Sequence, residues 1–160
     1  MARVYLETSF FSACVSTRLD VASMFWKRES LAWLKSQASH HTLFTSTETL
    51  AELSRPSYPQ RREALSFTVG IDILDVTPEV IGLARVMIDS KVMPGPLEGD
   101  AVHVAAATWH HMDYVLSWNV KHLANPNKRT HLYAVCMRFG LVPPIIVTPS
   151  NLWEPDDEAR

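Results

Sequence analysis

Five short runs rich in β-branched and aromatic residues punctuate this chain: A-R-V-Y-L near the start, then H-T-L-F-T, I-D-I-L-D-V, D-Y-V-L-S-W and P-P-I-I-V-T. Segments of helical character lie between them. Residues ~21–38 read as one amphipathic helix, and S-T-E-T-L-A-E-L as a second with Ser46 or Thr47 at its cap. Others are expected from about Gln60 to Phe67, from the Thr77-Pro78-Glu79 start to about Ser90, over the Ala-rich D-A-V-H-V-A-A-A-T-W-H-H, and over R-T-H-L-Y-A-V-C-M-R-F up to Gly140. Thr8 or Ser9 can cap a helix after the first strand. Alternation of this kind predicts an α/β fold with a mostly parallel central sheet.

The chain has 160 residues, 47% of them hydrophobic and 20% charged, enough for one well-packed core and too apolar for disorder. A single domain over 1–153 with a polar tail over 154–160 accounts for all of it. Net charge is −2, which excludes a coat of basic charge for nucleic acid but not a local basic patch. Glu7 interrupts the place where an export signal needs an apolar stretch, so a cytoplasmic protein is expected, with Cys14 and Cys136 reduced and buried. No apolar run is long enough to span a membrane.

In a parallel α/β sheet, ligands bind beyond the carboxyl ends of the strands. Glu7 follows the first strand; Glu48 and Glu52 lie on the helix after the second; Ser117, Trp118 and Asn119 follow the fourth. Asp100 opens the Ala-rich helix, after a loop containing Glu98. Clustered carboxylates repel unless a cation neutralises them. An all-oxygen ligand set suits Mg²⁺ or Mn²⁺, which activate water and stabilise a phosphoryl transition state.

Other chemistries find no pattern. His40-His41 and His110-His111 are adjacent pairs whose side chains diverge, and no H-E-x-x-H is present, so zinc is disfavoured. There is no G-x-x-x-x-G-K-[ST], no G-x-G-x-x-G and no G-x-S-x-G.

Taken in order, V-Y-L-E-T-S-F, T-S-T-E-T-L-A-E-L, G-D-A-V-H-V-A-A-A and D-Y-V-L-S-W-N-V-K-H-L resemble a PIN domain, of the kind found in VapC-like toxin ribonucleases of bacterial type II toxin–antitoxin pairs. The resemblance runs from about residue 3 to 152. It implies a three-layer α/β/α sandwich and metal-dependent endonucleolytic cleavage of RNA. The family's first acidic position falls on Glu7, where most members resemble D-T-S rather than E-T-S. The second falls on Glu52, with Glu48 one turn earlier as the alternative, and the third on Asp100. The fourth, often Asp, is Asn119 here. The resemblance thus implies Glu7, Glu52 and Asp100 as ligands of Mg²⁺ or Mn²⁺, Asn119 as a fourth catalytic residue, and Ser9 and Ser117 as small polar residues that position water or ligand. An antitoxin protein is the implied partner, and a homodimer is a second expectation.

An acidic pocket repels RNA by itself, so basic side chains have to hold the flanking phosphates. Arg55 and Lys121 are the first candidates, followed by Arg61, Arg62, Lys128 and Arg129. On the helix at ~21–38, Met24, Phe25, Leu31 and Leu34 can form one apolar stripe, with Trp26 and Trp33 toward another face, packed on the domain or offered to a partner. Two further readings stay open: a PIN-like nucleic-acid-binding or scaffold protein with a weakened metal site, and an α/β metal-dependent phosphohydrolase of small phosphate esters.

Overall fold

A computed structural model describes residues 1–119, 121, 123 and 125–155. Five strands, β1 (Ala2–Leu6), β2 (His41–Ser46), β3 (Asp72–Leu74), β4 (Tyr114–Leu116) and β5 (Ile145–Val147), form one sheet in the order β3-β2-β1-β4-β5. Every pairing is parallel. The helices are α1 (Thr8–Cys14), α2 (Val21–Ser36), α3 (Thr47–Leu53), α4 (Arg61–Ser66), α5 (Pro78–Asp89), α6 (Asp100–Trp109) and α7 (Pro126–Met137).

The two-residue period of the strands divides the core. Tyr5, Phe44, Leu74, Val115 and Ile146 point to one face, where Val80, Leu83 and Met87 of α5, the alanines of α6 and Leu132 and Val135 of α7 cover them. Val4, Leu6 and Leu116 point to the other, against Phe10 and Phe11 of α1, Trp33 of α2 and Leu53 of α3. Two buried layers around one sheet make the three-layer α/β/α sandwich.

The chain leaves β1 toward β2 and β3 on one side and returns to β4 and β5 on the other. The strand order therefore reverses between β1 and β4, and a crevice opens beyond their carboxyl ends. Glu7 follows β1 directly, and Ser117 follows β4.

Local details depart from the sequence reading at three points. The N-cap of α1 is Glu7 itself, whose carboxylate accepts from the Ser9 N–H, and neither Thr8 nor Ser9. Helix α7 begins at Pro126, earlier than expected, because Asn125 caps it and proline suits its first turn. On α2, Met24, Phe25 and Leu31 face solvent, while Trp33 is fully buried and donates its indole N–H to the Leu152 carbonyl at 2.7 Å. The helix is held by Trp33 in the core, with Leu34 packed beside it, and by the Ser30 contact with the Trp118 indole, rather than by the expected stripe of Met24, Phe25, Leu31 and Leu34. Among the described residues no helix is long and apolar enough to cross a membrane. Most of the polar tail, residues 156–160, lies outside the described residues.

Candidate active site at the carboxyl edge of the sheet

Glu7 is almost fully buried, at 5% exposure, in the crevice between β1 and β4. Such burial requires that its charge be satisfied. Its Oε2 accepts from the Ser9 N–H at 3.0 Å, from the Ser9 hydroxyl, and from the Ser117 hydroxyl at 2.9 Å. Two serines from different elements thus fix one carboxylate. The Ser9 Oγ in turn accepts from the Trp118 N–H at 2.9 Å, and the Ser117 Oγ from the Asn119 N–H at 3.0 Å.

Asn119 carries the network onward. Its Nδ2 donates to both carboxylate oxygens of Asp100, at 3.1 Å each. Asp100 is the first residue of α6, where the positive end of the helix dipole favours a carboxylate. Gly99 before it has φ +117°, a backbone conformation that L side chains rarely adopt, so glycine sets the turn that delivers Asp100.

Glu52 reaches the same region from α3, and its partner is His103. The Glu52 Oε1 hydrogen-bonds the His103 Nε2, and the Glu7 Oε1 lies 3.9 Å from the same nitrogen. On the other side of the ring, Nδ1 meets the Tyr5 hydroxyl at 2.6 Å, which itself contacts the Ser46 Oγ at 2.7 Å. The Thr8 hydroxyl stands 3.3 Å from Nε2. A doubly protonated imidazole satisfies this arrangement, donating to Tyr5 from one nitrogen and to Glu52 from the other. Burial opposes that charge, but the Tyr5 oxygen and the carboxylates of Glu52 and Glu7 outweigh it and hold the His103 pKa well above the usual histidine value. Burial likewise raises the Glu52 carboxyl, and the hydrogen bond and charge of His103 more than reverse it, leaving its pKa below the ordinary value. Glu48, one turn earlier, has no such partner; burial pushes its pKa up.

His103 went unrecognised in the sequence. It belongs to neither adjacent histidine pair and to no metal-ligand spacing. Its signal was available: it is the one ring that can carry charge in the otherwise apolar, fully covered run from Ala101 to Ala107, three residues after Asp100. A lone ionisable residue in such a run needs buried partners.

The structure therefore links Glu7, Ser9, Ser117, Asn119 and Asp100 in one continuous hydrogen-bond network, with Glu52 joined to its edge through His103. The basic candidates stand apart. Arg55 and Lys121 are exposed, Arg55 close enough to act on the Glu52 carboxyl. Arg61 and Arg62 are exposed on α4, and Lys128 and Arg129 stand beside Met93 and Leu123 at the start of α7.

The overall fold has counterparts among solved structures. VapBC2 from Rickettsia felis, in a complex with a DNA fragment from its promoter, superposes with a TM-score of 0.59 over 91% of this chain and 98% of its own, at 16% identity. The chain has the PIN-domain fold of VapC toxins. VapBC-1 from nontypeable Haemophilus influenzae matches with a TM-score of 0.58 and 14% identity, covering 93% of this chain and 99% of that one. VapC20 from Mycobacterium tuberculosis, a toxin that cleaves the sarcin–ricin loop, matches with a TM-score of 0.56 and 15% identity over 72% of this chain and 89% of its own. No family model matches the sequence, and no curated protein matches it. At such identities the VapC likeness lies in the fold; the chemistry has to be argued from the side chains.

Proposed function

We propose that this PIN-fold chain is a metal-dependent endoribonuclease that hydrolyses RNA phosphodiester bonds, acting as the toxin of a toxin–antitoxin pair. The observation that carries the reading is the convergence of Glu7, Asp100 and Glu52, from three separate elements, on the strand-order reversal, with Asn119 and two serines holding them. The fold shared with VapC toxins supports it.

The donor set fits Mg²⁺ or Mn²⁺ in kind, since it offers carboxylate and amide oxygens and no thiolate. The Glu7 Oε1 faces His103 at 3.9 Å, beyond hydrogen-bond reach, while Oε2 is fully engaged, so Glu7 keeps one oxygen to give. Among the described residues no three His, Cys, Asp or Glu side chains are grouped closely enough to hold an ion as they stand. Glu7, Asp100 and Glu52 are the residues that would hold it. When bound, the ion supplies activation of water and stabilisation of charge on the transferred phosphoryl group.

The remaining work falls to the chain's own groups. Ser9 and Ser117 donate to Glu7 and fix its orientation. Asn119 holds both Asp100 oxygens without adding charge. His103 supplies a buried positive charge that holds the Glu52 carboxyl below its ordinary pKa and lies 3.9 Å from the Glu7 Oε1. Arg55, whose charge acts on the Glu52 carboxyl, and Lys121, exposed two residues after Asn119 in the sequence, are the residues proposed to steer flanking phosphates. The antitoxin is proposed to cover the exposed apolar side chains of α2, Met24, Phe25 and Leu31.

The test is cleavage of a labelled single-stranded RNA with Mg²⁺, with Mn²⁺ and with EDTA. Metal-dependent internal cuts are expected; full activity in EDTA, or none with either metal, overturns the reading. A second reading, a PIN-fold binding protein with a weak metal site, is favoured by the His103–Glu52 pair, since an internal cation already neutralises part of the acidic cluster. Calorimetric titration of Mn²⁺ separates the two, because the second predicts no binding at Glu7 and Asp100.

A further inference from the structure

Beside the acidic network lies a cavity of about 540 Å³, within the ~300–1,000 Å³ range of sites for small organic ligands. Ser9 and Asn119 belong to its lining and to the network alike, so the cavity begins at the reacting edge. Its chemistry differs sharply from that of the network. Among the described residues its lining holds no carboxylate, and Arg18 is the charged side chain there. Three aromatic side chains from three separate parts of the chain face it: Trp26 of α2, Tyr58 from the turn between α3 and α4, and Trp118 after β4.

The aromatic wall is built in advance. Trp118 is buried, and its indole N–H is spent on the Ser30 hydroxyl at 2.8 Å. Trp26 stacks on it with ring centres 5.6 Å apart and planes 20° from parallel, and Phe25 meets it edge-on at 6.1 Å. A ring so fixed loses little freedom when a flat ligand lies against the stack. Around the wall, hydroxyls of α1 and of the turn after it, with the Gln60 amide, offer donors and acceptors to the edge of such a ligand. Arg18 is paired only with Asp20, at 3.7 Å on an exposed surface, a contact weak enough to yield to a phosphate.

A planar heteroaromatic ring with a polar edge, tethered to an anion, is a nucleotide. We infer that this cavity is a base-binding subsite, in which one unpaired base of the substrate strand, next to the cleaved phosphate, stacks on the Trp26–Trp118 wall and Tyr58 while Arg18 takes the adjoining phosphate. Stacking on aromatic side chains is tolerant of sequence and requires an unpaired strand, so the subsite selects single-stranded over duplex RNA. The inference rests on the ribonuclease reading for the identity of the strand.

The test uses end-labelled RNA octamers in which a single abasic ribose is walked from one end to the other. Binding is followed by fluorescence anisotropy in EDTA, and cleavage by kcat/KM with Mn²⁺. The wild-type protein is expected to lose about tenfold in affinity and in kcat/KM when the abasic ribose falls at one fixed position relative to the cut, and little elsewhere. Trp26→Ala and Tyr58→Ala are expected to remove that difference, binding intact and abasic strands alike, and Tyr58→Phe to restore it. Trp26 is partly exposed, so its truncation leaves a folded protein, which circular dichroism checks. Indifference of the wild type to every abasic position overturns the inference, as does a difference that survives both alanine variants. Loss of a co-purifying protein in those variants, with base discrimination intact, overturns it in favour of a protein-docking groove. Base discrimination in EDTA without cleavage in Mn²⁺ keeps the subsite and sinks the ribonuclease reading; cleavage without discrimination does the reverse.

Discussion

Two buried histidines sit at opposite ends of this sheet. His103 is 1% exposed at the carboxyl ends of the strands, and His41, at the first residue of β2, is 6% exposed near their amino ends. Both rings are beside an aromatic residue: His103 is tilted against Tyr5, and His41 lies flat on Trp33 with planes 1° apart. Their polar atoms fare oppositely. Each nitrogen of His103 has a hydrogen-bond partner, whereas neither nitrogen of His41 has one among the described residues. Burial pushes the His41 pKa down, and the charges around His103 lift its own. Burial alone therefore does not mark a functional histidine in this fold. What marks it is a hydrogen-bonded set of charges: Glu52 bonds the His103 ring directly, whereas among the described residues the charges near His41, chiefly Glu154, do not outweigh its burial.

The sharpest way to break this comparison is to test whether chemistry belongs to the carboxyl edge alone. Asp100→Asn keeps the shape of the side chain but removes one charge from the acidic set and one of the two acceptors that meet the Asn119 Nδ2, and at least a hundredfold loss of RNA cleavage is expected, with an unchanged circular dichroism spectrum. His41→Leu, at the opposite edge, is expected to cleave at the wild-type rate. Wild-type cleavage by Asp100→Asn removes Asp100 from the site, and loss of cleavage in a folded His41→Leu protein contradicts the division of the sheet into a reactive and a structural edge.

Stability separates the same two residues next. His103→Ala leaves Glu7 and Glu52 close together without their cation and deprives the Tyr5 hydroxyl of one partner. Breaking a buried pair on one side costs about 3–5 kcal/mol, and the partial exposure of Glu52 puts the expected loss near the lower figure, about 3 kcal/mol by urea denaturation. His41→Leu removes two unpartnered nitrogens along with the stack on Trp33, and a change within about 1 kcal/mol in either direction is expected. Equal losses in the two variants erase the distinction between a paired and an unpaired ring.

How much of this was legible beforehand follows from the range over which each feature is encoded. The five strands, the helices at Ser46 and Thr77, and the position of Asp100 at a helix start depend on residues within a few positions, and the sequence carried them. Glu7, Glu52, Asp100 and Asn119 could be placed at one edge because a parallel sheet brings all strand ends to the same side. Their partners could not be read in the same way. His103 meets Tyr5 across 98 residues and Glu52 across 51, and no local pattern records such pairing. The aromatic wall was hidden for a related reason: Trp26 and Trp118 lie on separate segments, and only the packing of α2 against the turn after β4 stacks them. Trp33 was equally ambiguous, since helical periodicity does not say that its N–H ends on Leu152.

A third perturbation sharpens the division within the carboxyl edge itself, where Glu52 faces a cation and Asp100 a neutral amide. Asn119→Asp replaces the donor that spans both Asp100 oxygens with a second carboxylate. Repulsion is expected to lower the melting temperature of the metal-free protein by a few degrees, and relief of that repulsion to tighten Mn²⁺ binding severalfold over wild type in calorimetric titration. Unchanged or weaker Mn²⁺ binding puts position 119 outside the ion's surroundings.

The smallest expected effect is the most specific, because it concerns sign. In metal-free protein with EDTA present, a group that binds protons more tightly when folded makes stability fall as pH rises, and one that binds them less tightly makes it rise. The His103 pKa is raised by folding, so its contribution is fully present below about pH 6.5, the ordinary histidine value, and is lost as the pH climbs through its higher folded-state pKa. The His41 pKa is lowered by folding, chiefly by burial, so its neutral ring costs nothing above that ordinary value, and stability declines as the pH falls below it. Urea denaturation of the wild type, His103→Ala and His41→Leu at intervals from pH 5 to 9 measures both slopes. Relative to wild type, His103→Ala is expected to be most destabilised in acid and to close the gap toward alkaline pH, while His41→Leu gains on the wild type as the pH drops below about 6.5. Curves that shift in the same direction for both variants would mean that the carboxylates around His103 do not hold it charged, and the contrast between the two ends of the sheet would reduce to packing.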